Sequence, residues 1–240
     1  MSIETLLCPA DEAGIARAAA LLRQGEIVAL PTETVYGIAA DARNGKAVAK
    51  IFAAKGRPQD NPLIVHIDDV KMLPGLVSEF PERAQLLAAA FWPGPMTIIM
   101  PRGPEVADEC CAGLDTVGIR MPSHPVVRQV IEASGCAFAA PSANLSGKPS
   151  PTTAQDVWTD MQGRLPLILD GGPCAVGVES TVISVVGEKP TLLRPGYITL
   201  EDLERALGEE VAVSHAILEK LAEGEVARSP GMKYKHYAPK

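Results

Sequence analysis

The chain has no pair of cysteines at C-x-x-C spacing. Its five cysteines, Cys8, Cys110, Cys111, Cys136 and Cys174, are odd in number, which excludes a complete disulfide framework and reads as reduced thiols. Cys110 and Cys111 have no companion His/Cys cluster at ligand spacing, so no metal site is expected there. No apolar run reaches the length of a membrane span, and the N-terminus lacks a basic segment followed by an apolar one. A cytoplasmic protein without a membrane partner is expected. Walker A, G-x-G-x-x-G, H-E-x-x-H and G-x-S-x-G patterns are all missing, which argues against a covalent enzyme intermediate. Aromatic residues make up only 4% of the chain, and 22 basic against 29 acidic residues leave a net charge of −7. That balance disfavours a module that grips structured RNA with its whole surface.

What is present is ordinary globular material. At 240 residues and 47% hydrophobic, the chain can bury one substantial core. One large domain over residues 1–224 with a tail over 225–240 is the expected organisation.

Apolar periodicity and caps place the elements. Ile15, Ala18, Ala19 and Leu22 share one face of a helix from Asp11, its N-cap, to Gln24. Glu26 to Leu30 reads as a buried strand. Asn44 caps a helix through Ala54, and Pro81 to Phe91 is another. Leu63 to Ile67, Met96 to Met100, Val117 to Met121, Ala137 to Ala140 and Pro166 to Asp170 read as strands. Ser123 is the expected cap of a helix through Ser134, with Pro125 in its first turn. Gln155 to Met161 is a short helix. Thr181 to Val186 and Thr191 to Arg194 pair as a hairpin, so the sheet should be mixed. Thr199 to Ala206 opens with the capping-box pattern T-L-E-D, and a last helix is expected near Ala216 to Ala222. Helices between strands define an α/β protein.

The most informative stretch runs from Ala29 to Ile67. An apolar strand breaks at Pro31 into PTETVYG, and the following helix ends at Lys55-Gly56-Arg57-Pro58, shortly before Asn61-Pro62. Cations beside glycine suit an anion, because main-chain N–H groups and cationic side chains can converge on phosphate oxygens. Lys55, Arg57, Arg120, Lys148 and Arg194 all sit in or beside Gly/Pro-rich loops, so a local positive concavity on an acidic protein is expected. Arg120 interrupts an apolar strand, where a charge needs a partner. Either an internal carboxylate such as Asp115 or Asp170, or a substrate carboxylate gripped by the guanidinium fork, would supply it. His66 stands on a short apolar strand and reads as a half-buried histidine or a ligand. The run Pro141-Ser142-Ala143-Asn144 follows a strand, where short hydroxyls and amides suit a nucleotide at the carboxyl edge of an α/β sheet or make any polar loop.

Taken together, PTETVYG, K-x-R with NPL, GIRMP, APSANLSG, ESTV and LRPG occur in one order through nearly the whole chain. In this the chain resembles the YrdC family of threonylcarbamoyl-AMP synthases. The resemblance implies a YrdC-like twisted, mixed open sheet flanked by helices. It also implies a nucleotidyltransferase reaction in which L-threonine, bicarbonate or CO2 and ATP yield threonylcarbamoyl-AMP and pyrophosphate. It assigns Thr34, His66, Arg120, the main chain of Ala140 and Ser180 to L-threonine. It assigns Arg57, Asn61, Thr116, Ser142, Asn144, Ser150, Arg194 and Tyr234 to ATP, with Lys55 and Arg57 stabilising charge. Mg2+ is expected to arrive with ATP, since no acidic cluster in the sequence looks like an all-protein cage.

The product is expected to pass to threonylcarbamoyl-transfer proteins that modify adenosine 37 of tRNA, with a weak tRNA contact by this chain. The tail SPGMKYKHYAP resembles the linker of the family's long form, which folds over the nucleotide pocket, whereas composition alone reads it as a disordered end. Because the sequence stops at Lys240, the second domain of the long form is expected to be absent. A carbamoyl-adenylate-forming domain of the hydrogenase-maturation type is the rival enzyme, and dependence on threonine separates the two.

Overall fold

The computed structural model describes residues 3–218. An exposed edge strand, β1 (Leu6–Pro9), precedes helix α1 (Glu12–Arg23), which Asp11 caps by accepting from Gly14 N at 2.8 Å. Strands β2 (Val28–Leu30) and β3 (Gly37–Asp41) then form an antiparallel pair whose connection is the PTETVYG turn. Asn44 caps α2 (Gly45–Lys55), and Gly56 ends it in the left-handed conformation at φ 61°, which a residue without Cβ adopts at no steric cost. The basic loop therefore begins where this helix stops.

Strand β4 (Ile64–His66), a 3-10 turn (Val70–Met72), α3 (Glu82–Phe91) and β5 (Met96–Pro101) follow. Next come α4 (Asp108–Cys111), β6 (Thr116–Arg120), α5 (Pro125–Ser134) and β7 (Phe138–Ala139). The chain continues through α6 (Ala154–Met161), β8 (Leu167–Asp170) and the antiparallel pair β9 (Thr181–Ser184) and β10 (Thr191–Arg194). It closes with α7 (Leu200–Leu207), β11 (Ala212–Val213) and α8 (His215–Leu218). The part of the expected last helix beyond Leu218 lies outside the described residues, as does the tail.

Among the described residues, the strands form one mixed sheet in the order β1-β8-β2-β3-β7-β4-β6-β5-β9-β10-β11. The predicted hairpin at β9 and β10 is present, and so is the capping box at Thr199, whose hydroxyl accepts from Asp202 N at 3.2 Å. The expected cap at Ser123 is not. Ser123 N donates to Glu33 Oε2 (3.2 Å), which holds that residue in the loop, and His124 caps α5 by accepting from Val126 N through Nδ1 at 3.3 Å. Strands β1, β3 and β11 and the one-turn helix α4 went unforeseen: β1, β11 and α4 are too short or too exposed to show a period, and β3 is buried over most of its length and so shows no alternation.

Alternation along the strands decides where the site falls. Ile38, Ala40, Val65, Ile98, Met100 and Ile119 belong to a large core with α2 and α3. Their neighbours in sequence face the other side of the sheet. There α1 and α5 pack together over Val28, Leu30, Ala39, Phe138, Leu167 and Leu169, contributed by β2, β3, β7 and β8. On that same face, β4, β6, β5 and β9 carry Ile64, His66, Gly118, Arg120, Thr97 and Val182, and only a small cluster of Ile99, Val182 and Leu193 is apolar core. At Gly118 a Cβ would lie 2.9 Å from Ile99 Cδ1, so this stretch of β6 is kept bare. The sheet's second face is thus half helix-covered core and half polar floor.

Candidate active site

The PTETVYG turn is rigid and buried. Thr32 Oγ1 donates to Val35 O (2.7 Å) and accepts from Thr34 N and Val35 N (both 3.2 Å). Tyr36 OH donates to Gly172 O at 2.7 Å, which ties the turn to the loop after β8. Because the Thr32 proton is committed to Val35 O, the 2.9 Å contact between Thr32 and Thr34 hydroxyls must be donated by Thr34. Thr34 in turn accepts from Arg120 Nη1 at 2.9 Å. The hydroxyl is therefore oriented before any ligand arrives.

Arg120 is 4% exposed, and its carboxylate partner is Glu33, at 2.6 Å between Nη2 and Oε1. Neither Asp115 nor Asp170, the partners considered from sequence, takes that place. Asp115 precedes β6 and so lies at the strand end opposite Arg120, while Asp170 ends β8 and its carboxylate accepts from Gly172 N at 3.0 Å. Arg120 Nε also donates to Gly94 O (3.3 Å). Three of its five N–H groups are committed, and one remains on each terminal nitrogen.

His66 lies beside Arg120 in the parallel register of β4 and β6. Burial, reinforced by the Arg120 charge, pushes its pKa down to about 3, so the imidazole is neutral. Its Nδ1 has no hydrogen-bond partner among the described residues. His66 itself lines the cleft formed by these residues, where a neutral imidazole can meet a ligand. Ala140 donates its N–H to Ile64 O (2.9 Å), which leaves its carbonyl as the group that can serve a ligand.

A second cation closes the other flank. Arg194 pairs with Glu179 through Nη1 and Oε2 and donates to Ser180 O (2.9 Å from Nη2) and Ser180 Oγ (3.0 Å). Ser180 Oγ also contacts Thr97 Oγ1 at 2.7 Å, and Ser150 Oγ donates to Glu179 Oε1 at 2.9 Å. The ESTV and LRPG segments, and Ser150 with them, are thereby one hydrogen-bonded unit.

These residues surround one open cleft. Of the predicted threonine contacts, Thr34, His66, Arg120, Ala140 and Ser180 all line it; of the predicted ATP contacts, Arg57, Ser142 and Arg194 do. Asn61 is buried next to Arg57, whose Nη2 donates to Asn61 O (3.3 Å). Ser150 stands behind Glu179. Thr116 is on the same sheet face as Arg120 but four residues away along β6, and extending the register of β4 and β6 places it level with Pro62, outside the cleft lining. Tyr234 lies outside the described residues.

Lys55 takes a different position from the one its sequence suggested. Only 3% exposed, it does not line the cleft. Its ammonium lies under the PSAN loop, donating to Ser142 O, to Asn144 O (2.7 Å) and to Asn144 Oδ1 (3.4 Å). Burial, aided by the nearby Arg57, pushes its pKa down to about 7. Asn144 completes the clamp by donating from Nδ2 to Lys148 O at 2.7 Å. Lys148 is itself turned onto Asp160, at 2.6 Å.

Sequence reasoning missed Glu33, the buried partner of Arg120, and Glu179, a carboxylate within the cleft lining. Both lie inside motifs already singled out, and the signal that could have found them was the need of each buried arginine for an anion. Cys110 and Cys111 are buried, burial pushes both thiols up, and no group of three or more metal-ligating side chains occurs among the described residues. No helix among the described residues is long and apolar enough to cross a membrane.

An open mixed α/β sheet with a cleft on one face, walled by two arginines that are each paired with a glutamate, defines the class. The chain belongs to the Sua5/YciO/YrdC family, whose model, described as "Telomere recombination", matches residues 20–196. It is 54% identical over 226 residues to threonylcarbamoyl-AMP synthase of Bacillus subtilis, covering 94% of this chain and 64% of that protein. With the synthase of Pyrococcus abyssi it is 49% identical over 229 residues, covering 95% and 66%. The chain therefore spans about two thirds of the length of these relatives, or slightly less. The structure of P. abyssi Sua5 complexed with L-threonine superposes with a TM-score of 0.91 at 47% identity, covering 100% of this chain and 69% of that one.

A model described as "Threonylcarbamoyl-AMP synthase, C-terminal domain" matches residues 198–240, so sequence of that second domain is present rather than lacking. Part of it folds onto the sheet. Leu203 of α7 is fully buried in the main core, and β11 extends the sheet by pairing with β10.

Proposed function

We propose that this cleft joins L-threonine, bicarbonate or CO2 and ATP into threonylcarbamoyl-AMP, releasing pyrophosphate. The observation that carries the reading is the side-by-side placement of two arginine-bearing arms. Arg120, with Thr34, Ser180 and the neutral His66, suits an amino acid. Arg57 and Arg194, with Ser142, suit a polyphosphate. The similarity to the L-threonine complex of P. abyssi Sua5 supports the first assignment.

The threonine carboxylate takes the two remaining N–H groups of Arg120, and the Ala140 carbonyl receives the amino group. The ammonium gives a proton to solvent, and the free amine then adds to bicarbonate with loss of water, or to CO2 with loss of a second proton to solvent, giving a carbamate. A carbamate oxygen attacks the α-phosphorus, the bond to the bridging oxygen breaks, and pyrophosphate leaves with the electron pair. No covalent bond to the protein is needed, so positioning, charge neutralisation and exclusion of water dominate. ATP would run from the cleft toward Asn61 and Thr116, with Asn144 and Lys55 supporting the loop it touches. Mg2+ would be carried by the triphosphate itself, since Glu179, the carboxylate in the cleft lining, is already paired with Arg194 and accepts from Ser150. When bound, the ion would neutralise phosphate charge.

The mixed anhydride is reactive and suits immediate transfer, so threonylcarbamoyl-transfer proteins acting on adenosine 37 of tRNA are its proposed consumers, in the cytoplasm. The test is pyrophosphate release from ATP with L-threonine or bicarbonate omitted in turn. Release should require both, and equal release without threonine would overturn the reading.

A further inference from the structure

The amino-acid end of the cleft carries no net charge, and the residue that makes it so is Glu33. Its side chain and that of Arg120 are 8% and 5% exposed, at 2.6 Å from each other. Glu33 does not line the cleft. It stands behind Arg120, held there by Ser123 N on Oε2 and by Val176 N on its own carbonyl (2.7 Å). The other titratable groups around the pair add no charge of their own. His66 is neutral, burial lowers His124, and burial pushes the Cys174 thiol up to about 11. On the next flank Arg194 is matched by Glu179.

We propose that Glu33 is a specificity-determining residue that makes this pocket select a zwitterion over a monoanion of the same shape. An uncompensated Arg120 would favour any carboxylate. With Glu33 in place, a ligand bringing only a carboxylate leaves a buried excess negative charge, whereas an α-amino acid brings its own ammonium and keeps the balance. Arg120 supplies the grip common to all carboxylates, and Glu33 decides that an amine must accompany it. The amine is also the group the proposed reaction consumes. The inference rests on the reading that an amino acid occupies this end.

Calorimetric binding of L-threonine and of its 2-hydroxy analogue, which replaces the ammonium by a hydroxyl, tests it in the wild-type chain and in Glu33→Gln. The wild type should prefer threonine at least tenfold, and Glu33→Gln should move the ratio of the two affinities at least tenfold toward the hydroxy acid. A purely structural role would weaken both ligands alike, and an unchanged ratio overturns the proposal. A wild-type measurement guards against a variant that fails to fold. In buffers of different ionisation enthalpy, binding of the hydroxy acid at pH 6 should take up more protons than binding of threonine. Equal uptake by both ligands overturns the proposal as well. If the wild type does not bind threonine, the functional reading itself fails. If it does and the ratio is insensitive to Glu33, only this inference fails.

Discussion

Lys55→Met separates a lysine that clamps a loop from one that merely carries charge. The buried ammonium has a pKa of about 7, against 10.5 for an exposed lysine, with burial as the main cause. Between those values the unfolded chain holds a proton that the folded protein lacks, so the wild type gains stability as pH rises through this window and has its minimum contribution below pH 7. At about 1.36 kcal/mol per unit, the gain from pH 7 to pH 9 is roughly 2 kcal/mol. Lys55→Met abolishes it.

At pH 7 the substitution also strands Ser142 O, Asn144 O and Asn144 Oδ1, each costing about 1 to 3 kcal/mol if left unsatisfied. Relief of a buried charge worth on the order of 5 kcal/mol offsets much of this. The net loss at pH 7 should therefore be smaller than the count of hydrogen bonds suggests. Urea unfolding of both proteins at pH 7 and pH 9 is the assay. The stability gap should widen by about 2 kcal/mol in favour of the wild type at the higher pH. A gap that does not move with pH would refute the assignment of a depressed lysine beneath the PSAN loop.

Two further outcomes are expected. Arg57→Ala should weaken ATP binding by ~1.5 to 3 kcal/mol without unfolding the protein, because a charge-assisted contact to phosphate is lost; unchanged affinity by calorimetry would return Arg57 to the status of a surface cation. In competition for adenylate formation the order should be threonine, serine, valine, since valine leaves the polar groups around Thr34, His66 and Ser180 unpaired while serine forfeits one methyl contact, roughly 1 to 3 kcal/mol. Valine competing as well as serine would show that the hydroxyl is not read.

How much of this could be read from the chain differs by residue. Asp11, Asn44 and Thr199 cap the helices expected of them, because a cap is a local exchange between a side chain and N–H groups two or three residues on. Ser123 was misjudged because its N–H is claimed by Glu33, a residue 90 positions away. Lys55 looked like a surface cation beside glycine. Its acceptors lie 87 and 89 residues downstream and are invisible to any local reading.

The α/β class, most of the elements and the family are legible in the chain, because alternation, caps and ordered motifs are written in neighbouring residues. The partners follow from the fold alone. The strand order sets β4 between β7 and β6 and thereby brings His66, Ala140 and Arg120 onto one floor. The turn after β2 then delivers Thr34 to the rim and Glu33 behind it. Which carboxylate answers a buried arginine depends on distance in space, and the sequence separation of 87 residues between Glu33 and Arg120 carries no such information.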